Sequence, residues 1–371
     1  MSHLFSEVAV GPLVLPNRIV VAPMCQFSTP DGEACDWHLM HLGTLALSGA
    51  GLLIIESTGV VPEGRITHAD LGLWNERQQA ALARTLAAVR RYSNTRIGIQ
   101  LSHAGRKAAE PAPGDGVKAF AANDPRSWPV VAPSALPVSE HAPQTRALDA
   151  AGIDAVVEAF AMAAQRAVAT GVDLIELHGA HGFLLHQFLS PLSNQRTDDY
   201  GGSLENRMRL TLRVFDAVKA AVPERVAVGI RISATDWVDG GWDLTQSIAL
   251  SKALDARGCA YIHVSAGGLD PARQVLPPLA PGYQLSFAAA IKAEVRMPVI
   301  GVGLITEPQQ AEDALQQGQA DLVALGRAML YDPRWPWHAA NVLGGRAEFP
   351  QQYFGCWPHD FGGQPRKALS A

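Results

Sequence analysis

Short apolar runs alternate with longer amphipathic stretches along most of the chain, and this alternation is the strongest constraint on its fold. The runs are rich in Val, Ile and Leu, as in "AGLLIIES" and "VAVGIRIS", which is typical of strands buried in a parallel sheet. Eight of them begin at Arg18, Ala50, Arg96, Asp173, Val226, Tyr261, Met297 and Ala320. Seven precede a helical candidate with its own start signal, such as Ser203 or Thr306. Eight strand–helix units predict an α/β protein with a (β/α)8, or TIM, barrel.

An open doubly wound sheet would also alternate strands and helices. That fold binds dinucleotides through a glycine fingerprint, G-x-G-x-x-G, after its first strand. Here the first run leads into "APMCQFS", which contains no glycine. A chain of 371 residues could form one large domain or two smaller ones, and eight consecutive units favour a single barrel domain over residues 1–371.

Two segments lie outside the eight units. Residues 1–17 contain "VAVGPLVLPN" and are predicted to form a hairpin that plugs the bottom of the barrel. Residues 103–149 form an insertion rich in Pro, Gly and Ala after the third strand. Because this insertion leaves the carboxyl end of a strand, where barrel enzymes place lids and substrate loops, we expect it to cap the site.

Composition excludes several classes of partner. The chain has 30 Lys and Arg against 35 Asp and Glu, a formal charge of -5, and no block of like charges, so nucleic acid is not expected as a partner. It contains no apolar run long enough to span a membrane, and its first residues do not resemble a signal peptide. We therefore expect a cytoplasmic protein that acts on a small molecule.

The cysteines are too scattered for a metal or disulfide framework. The four are Cys25, Cys35, Cys259 and Cys356, and no two form a C-x-x-C pair. This spacing argues against a zinc ribbon, an iron–sulfur cluster or a set of disulfides. We predict no metal site, and a reactive cysteine would act alone.

Polar residues collect where the predicted strands end, and barrel enzymes place their active sites at that rim. The polar positions are Glu56, Gln100, Glu176, His178, Arg231, His263 and Ser265. The last two strands end in "GVGL" and "LGRA", where glycines would let backbone N–H groups approach a phosphate and Arg327 could pair with it. The rim therefore favours a phosphorylated ligand.

Arg231 follows the buried run "VAVGI" and needs an anion or a strong acceptor to offset its loss of hydration. An internal ion pair with Glu56 or Glu176 would serve. A flat heterocycle whose carbonyl becomes anionic on reduction would also serve, because Gln100 at the end of the third strand offers both a donor and an acceptor. An isoalloxazine is such a ring. Cys25, at the end of the first strand, could be part of that site or a small buried apolar residue.

The stretch "DLIELHGAHGFLLHQF" carries three histidines at the end of the fourth strand. His178 and His181 can converge because they are three residues apart across a strand end and a turn. They could donate hydrogen bonds to a substrate, bind a metal, or be satisfied histidines of the core. We expect His186 to pack structurally, and we expect Ser203 to cap a helix after a tight turn at 200–202.

Together these motifs resemble the Old Yellow Enzyme flavoproteins, in particular a shorter bacterial branch with a cysteine beside the flavin. The resemblance covers nearly the whole chain. It rests on "LPNRIVVAPMCQFS", "IQLSHAGRKA", "ELHGAHGFLLHQFLSPLSNQRTDDYGGSLENRMR", "RISATDW", "GVGLIT" and "ALGRAMLYDPRWP".

The resemblance implies an ene-reductase: FMN is reduced by NAD(P)H, with NADPH favoured, and an alkene activated by a carbonyl, nitro or similar group accepts the hydride at its β-carbon. His178 and His181 would hold the substrate oxygen, and Phe27 and Phe183 would line the substrate pocket. The residues expected to hold FMN are Ala22, Pro23, Met24, Cys25, Ser57, Gln100, Arg231, Gly303, Gly326 and Arg327.

The sequence departs from the family pattern at three places. Phe27 and Phe183 stand where relatives carry tyrosines, the second of which is the usual proton donor. Near the C-terminus, relatives often send an arginine into a neighbouring subunit, whereas "QQYFGCWP" offers Gly355 and Cys356. A homodimer or homotetramer is still expected.

The missing tyrosine hydroxyls keep other functions open. One alternative is a flavin-dependent dehydrogenase or isomerase, or a reductase of quinones or nitro compounds, none of which needs that tyrosine. Another is a metal-dependent barrel hydrolase, which would bind zinc and lack the yellow colour of FMN.

Overall fold

The TIM barrel predicted from the sequence is confirmed by the computed structural model, which describes residues 2–121, 124–139, 142–270, 275–277 and 279–356. In chain order its strands are β1 (Val8–Val10), β2 (Leu13–Leu15), β3 (Ile19–Val21), β4 (Leu52–Gly59), β5 (Arg96–Ser102), β6 (Val130–Ala132), β7 (Thr145–Ala147), β8 (Leu174–Gly179), β9 (Ala227–Ser233), β10 (Ile262–Ser265), β11 (Val299–Gly301) and β12 (Leu322–Leu325). Strands β3, β4, β5 and β8 to β12 pair in parallel and close on themselves.

Helices surround this barrel. They are α1 (Asp36–Ala46), α2 (Glu76–Arg90), α3 (Ala150–Ala169), α4 (Leu184–Leu189), α5 (Leu204–Ala221), α6 (Leu244–Ala256), α7 (Leu285–Lys292), α8 (Pro308–Gln316), α9 (Arg327–Tyr331) and α10 (Trp335–Leu343). Every barrel strand is followed by at least one of them, whereas the sequence indicated helices after only seven strands. Ser203 caps α5 as expected, because its hydroxyl accepts the N–H of Asn206. The start expected at Thr306 is wrong by one residue, since Glu307 precedes Pro308 at the first position of α8.

The N-terminal hairpin closes the lower end of the barrel. Strands β1 and β2 pair antiparallel, and Val10, Leu13 and Leu15 are buried. They belong to one apolar cluster with Leu52 and Leu174, which are the first residues of β4 and β8. The hairpin therefore covers the amino ends of the strands, and the candidate site lies at their carboxyl ends.

The insertion after β5 lies over that opposite end. It contains a 3₁₀ helix at Gly105–Lys107, and β6 pairs with β7. Ala104, Ala108 and Val130 share a buried apolar cluster with Phe183. The insertion thus packs against a residue that the sequence placed in the substrate pocket.

No helix within the described ranges is long and apolar enough to cross a membrane. The intersubunit contact considered near Gly355 and Cys356 falls where no side chain is described.

Candidate active site

The barrel brings the expected site residues to one rim. Gly303 follows β11, Gly326 and Arg327 follow β12, and Ala22 to Cys25 follow β3. Next around the barrel come Ser57 in β4, Gln100 in β5, His178 in β8 and Arg231 in β9. The registers set Ser57 opposite Gln100 and His178 opposite Arg231. Residues that are far apart in sequence therefore line one continuous arc.

A buried carboxylate organises the middle of this arc. Glu176 is fully buried and accepts hydrogen bonds from Gln100 Nε2 at 2.8 Å and Tyr261 Oη at 3.1 Å. His263 Nδ1 lies 3.0 Å from the same carboxylate. Burial alone would raise the pKa of Glu176, but His263 and its other partners lower it, so the group is an anion. Gln100 donates to Glu176 through its Nε2, and its side-chain carbonyl oxygen remains available to accept a hydrogen bond from a ligand.

Arg231 is the cation of the arc, and neither of the ion pairs considered from the sequence forms. Within the described residues Arg231 has no carboxylate at ion-pair distance, and its buried Nε has no hydrogen-bond partner. Burial lowers the pKa of Arg231, while the charge of Glu176 raises it, and a guanidinium stays protonated under such conditions. A buried donor without an acceptor costs about 1–3 kcal/mol. An acceptor on a bound ring would remove that cost.

Glu56 occupies a bulge in β4. Ile55 pairs with Ile99 and Ser57 with Gln100, so Glu56 is an extra residue in β4. Its carboxylate accepts the N–H of Gln26 at 2.9 Å and lies 3.2 Å from His38 Nε2. Glu56 therefore lies beside the strand ends, where its carboxylate contacts Gln26 and His38.

Gly303 and Gly326 lie beside each other at the ends of β11 and β12. Gly303 has φ +137, a conformation that L side chains rarely adopt, and a Cβ there would lie 3.3 Å from the backbone N of Gln284. Gly326 is next to Met24, whose Sδ would be 3.6 Å from an added Cβ. Arg327 is exposed at the start of α9. One side of the arc therefore combines backbone that carries no side chain, at Gly303 and Gly326, with the exposed guanidinium of Arg327.

Gln284 was missed in the sequence. It is buried at the N-cap of α7, and its Oε1 has no hydrogen-bond partner among the described residues. A second buried polar atom without a partner therefore lies next to Gly303. Nothing in the pattern around Gln284 marks it, because it lies in the long connection between β10 and α7.

Cys25 is partly exposed at the end of the first barrel strand. Burial, and then the charges of Asp70 and Glu56, raise the pKa of its thiol well above the ordinary value. Cys25 is therefore a neutral thiol.

The two rim histidines converge as expected. The ring centroids of His178 and His181 are 5.3 Å apart, with the planes nearly perpendicular. The backbone N–H of Ala180 donates to His178 Nδ1 at 3.3 Å, so the proton of this neutral ring lies on Nε2. His181 Nε2 lies 2.8 Å from the Ser265 hydroxyl. If Ser265 donates that hydrogen bond, His181 carries its proton on Nδ1.

Cations and burial keep both rings neutral. Burial, and then the charge of Arg231, lower the pKa of His178 and of His181 well below the ordinary value. Lys107 contributes to both shifts. A histidine with a lowered pKa stays neutral until the pH falls through that lower value. Each ring therefore carries one N–H at physiological pH, and that of His181 is available to a ligand when the Ser265 hydroxyl donates to its Nε2.

Phe183 and Lys107 complete this corner. The Phe183 ring lies 4.3 Å from His178 between centroids and is 7% exposed. Lys107 Nζ lies 5.5 Å from the Phe183 centroid and donates to the carbonyls of His181 at 3.0 Å and Gly268 at 3.2 Å. These bonds stabilise His181 at φ +57, an unusual backbone for histidine. Lys107 was missed because the insertion that carries it gives no periodic signal.

His186 and Phe27 differ from the convergent pair. His186 is fully buried, receives the N–H of Gly182 on Nδ1, and pairs with Asp236 at 2.9 Å, so its role is structural as expected. Phe27 lies beyond the first strand with φ +49 and is partly buried.

Across the described ranges no three His, Cys, Asp or Glu side chains are placed to hold a metal ion.

Residues 3–344 match the NADH:flavin oxidoreductase / NADH oxidase family. The chain belongs to this family. It is 41% identical to an NADPH dehydrogenase of Geobacillus thermodenitrificans over 95% of this chain and 98% of that protein. It is 42% identical to an NADPH dehydrogenase of Listeria innocua over 96% of this chain and 100% of that protein. The solved structure of morphinone reductase in complex with tetrahydroNAD is 31% identical, with a TM-score of 0.76 over 98% of this chain and 95% of that one.

Membership in the family confirms the Old Yellow Enzyme resemblance, and the chain is an FMN-dependent oxidoreductase. The rim fits the cofactor on its own evidence. Within the part of the chain that the structure describes, Arg231 Nε and Gln284 Oε1 are buried polar atoms without hydrogen-bond partners. At Gly303 the backbone is open to a ligand, because no side chain of its own covers it.

Proposed function

We propose that this oxidoreductase of the NADH:flavin oxidoreductase family is an ene-reductase, which reduces the C=C bond of alkenes activated by a carbonyl, nitro or similar group. The observation that carries the proposal is the convergence of two neutral histidines beside Phe183. Two N–H donors at one point suit the single oxygen of an electron-withdrawing group.

FMN, when bound, takes a hydride from the reduced nicotinamide and supplies it to the β-carbon of the alkene. We assign Arg231 and Gln100 to the pyrimidine edge of the ring, and Gly303, Gly326 and Arg327 to the phosphate, with Gln284 added beside them. Ala22, Pro23, Met24, Cys25 and Ser57 would line the ring. The assignment is supported by the arc of strand ends that carries these residues.

His178 and His181 act on the substrate. Negative charge grows on the substrate oxygen during the reaction, so donors already aimed there stabilise the transition state more than the ground state. Neutral rings suit this role because they need not give up their protons.

NADPH is the proposed reductant, since the relatives from Geobacillus and Listeria are NADPH dehydrogenases. We further propose that the chain acts as one domain in a cytoplasmic homodimer or homotetramer.

A panel of oxidants tests the function. The protein is reduced with NADPH without oxygen and then mixed separately with cyclohexenone, a nitroalkene, a quinone and a nitroarene. We expect fast flavin reoxidation by both alkenes, with the saturated product recovered. Reoxidation by the quinone or nitroarene alone would replace the proposal with the quinone or nitro-compound reductase considered from the sequence.

The lowered histidine pKa values predict a flat pH response. The rate constant of flavin reoxidation by cyclohexenone should change little from about pH 8 to about pH 6, because neutral imidazole is lost only below the lowered pKa. Stopped-flow traces of the oxidative half-reaction measure this directly. A fall in rate centred at the ordinary histidine pKa would contradict the neutral-donor assignment.

Phe183 has no proton to give, so the wild type must take the α-proton from elsewhere. Water can deliver it while the histidines hold the anionic oxygen, and alkenes limited by hydride transfer should not be slowed. Phe183→Tyr should accelerate poor alkenes, by up to the ~10²–10⁴-fold that a positioned general acid supplies to a limiting protonation. The measurement is reoxidation by a prochiral α-substituted enone, scored for rate and for stereochemistry at the α-carbon.

Phe183→Leu is the matched control, since it removes the ring packed on His178 and adds no acid. It should not accelerate any alkene. A wild type that reduces no alkene, beside a Phe183→Tyr variant that does, would make the hydroxyl decisive and would favour the dehydrogenase alternative for the natural protein.

A further inference from the structure

A group of three side chains lies next to the flavin-binding strand ends but faces α1. Cys35 is the N-cap of α1, His38 is in its first turn, and Glu56 is the bulged residue of β4. Cys35 Sγ lies 3.5 Å from His38 Nδ1, and His38 Nε2 lies 3.2 Å from Glu56 Oε1. We refer to these residues as the Cys35–His38–Glu56 cluster.

The hydrogen bonds of the cluster determine which nitrogen of His38 is basic. The backbone N–H of Cys35 donates to His38 Nδ1 at 3.2 Å, so in the neutral ring the proton lies on Nε2 and is donated to Glu56. His38 is fully buried and Glu56 is 4% exposed, which holds the ring in place. The lone pair on Nδ1 is therefore shared between the Cys35 N–H and the thiol, and Cys35 Sγ also lies 3.2 Å from the carbonyl oxygen of Ser28. A nucleophile, a base and a carboxylate that orients the base form the arrangement that activates nucleophiles in enzymes.

The local charges favour a thiolate at Cys35. Burial opposes ionisation, but hydrogen bonding to His38 lowers the pKa of Cys35. Burial likewise opposes protonation of His38, yet Glu56 and Cys35 raise its pKa. The first turn of α1 adds the positive end of a helix dipole.

The other charges nearby act less on the thiol. Asp36, next along α1, opposes the thiolate. Glu33, in the loop before α1, is paired with Arg77. His41 adds no positive charge, because burial and then His38 lower its pKa to about 4.

The remaining described cysteines lack these features. Cys259 is buried, and burial raises its pKa to about 12. The pKa of Cys25 is also raised. Cys35 is partly exposed. Among these three, Cys35 is the one with both a base and partial exposure.

We propose that Cys35 is a covalent modification site for electrophilic alkenes. The Cys35 sulfur bonds to the β-carbon as its proton passes to His38, and the π electrons of the C=C bond move to the α-carbon. The α-carbon then takes the proton back from His38. Thiol and alkene combine into a thioether, and no oxidant or reductant is consumed. The choice of electrophile rests on the proposed function, whereas the nucleophile rests on the cluster alone.

An adduct at Cys35 would lie close to the flavin-binding segment. Glu56 accepts the N–H of Gln26, and Trp37 Nε1 donates to Gln26 Oε1 at 3.1 Å. Gln26 directly follows Cys25. An alkene that escapes reduction would therefore modify the enzyme beside its own active site.

The test labels the oxidised holoenzyme with equimolar N-ethylmaleimide in the absence of NADPH, so that no alkene is reduced. Peptide mass spectrometry follows the labelling of each cysteine at pH values from about 5.5 to 10, with glutathione as the reference thiol. At about pH 6.5 we expect Cys35 to react first and about tenfold or more faster than glutathione, since each unit of pKa lowering gives tenfold more thiolate.

His38→Gln and His41→Gln form a matched pair on one helix. The first keeps an acceptor and a donor without a base, and it should slow Cys35 labelling about tenfold at about pH 6.5 and little at about pH 10, where the thiol ionises unaided. The second should label as the wild type does. Labelling of Cys35 at the glutathione rate, or equal rates in the wild type and His38→Gln, would overturn the proposal.

In the event that His38→Gln fails to fold or loses FMN, the pH profile of the wild-type protein tests the proposal instead. An inflection of the Cys35 rate below the ordinary thiol pKa supports the cluster, and an inflection at the ordinary value overturns it. Because labelling needs no reductant, its outcome is independent of alkene reduction. Labelling at Cys35 without reduction of any alkene would contradict the proposed ene-reductase function and would still support Cys35 as a nucleophile.

Discussion

His178→Ala should slow flavin reoxidation by cyclohexenone about 10²–10³-fold, the usual effect of removing one donor to a developing oxyanion. The Nδ1 of His178 is occupied by the N–H of Ala180, so the substrate oxygen would meet the Nε2 proton that the variant lacks. Flavin reduction by NADPH should be affected far less. Anaerobic stopped-flow measurement of the two half-reactions separates these effects.

His178→Asn serves as the matched variant, because its amide keeps an N–H donor on a shorter side chain. It should lose less of the oxidative rate than His178→Ala. Equal slowing of both half-reactions in His178→Ala, with FMN content reduced, would instead indicate damage to the flavin site and would contradict the substrate-donor role.

Arg231→Met should weaken FMN binding about 10- to 100-fold and lower the two-electron potential of any bound flavin by about 30–65 mV. The affinity change follows from losing about 1.5–3 kcal/mol of hydrogen bonding to the oxidised ring, and the potential change from losing a further amount of about that size when the ring becomes anionic. The buried Nε of Arg231 has no partner among the described residues, so none of them competes with the ring for this donor. Methionine fills similar space, which limits cavity effects.

Arg231→Lys is the control variant, because it keeps the positive charge and removes the planar array of guanidinium donors. It should recover part of the potential, because the cation remains, but less of the affinity, because a guanidinium offers planar donors that an ammonium lacks. Flavin content after gel filtration and a spectroscopic redox titration supply the two numbers. Unchanged values for both in Arg231→Met would remove Arg231 from the cofactor site.

The barrel could be predicted because its strands obey a simple rule. Strands covered by helices on the outside and packed inside are apolar throughout, and all eight runs carried that signal. The rim residues could also be predicted, since a polar residue such as Glu176 or Arg231 at the end of an apolar run needs a reason to be there. Strand order in the barrel then brings them together.

Features that depend on side-chain direction could not be predicted. The bulge at Glu56 leaves no trace in the apolar pattern, and neither does the contact between its carboxylate and His38. The tautomer of His178 depends on a single backbone N–H, and that of His181 on the hydroxyl of Ser265. Lys107 lies in the insertion and donates to the carbonyl of His181. The insertion has no periodic sequence pattern from which the position of Lys107 could be predicted.

The most direct test of the proposed function determines the source of each hydrogen that is added to the alkene. NADPH is generated in excess and allowed to turn over with an α-substituted enone in D2O, and the product is examined by NMR. We predict a saturated ketone with deuterium at the α-carbon and protium at the β-carbon, because the first comes from solvent and the second from the reductant. A protein that binds FMN and oxidises NADPH with a quinone, but gives no saturated ketone from any activated alkene, would contradict the account.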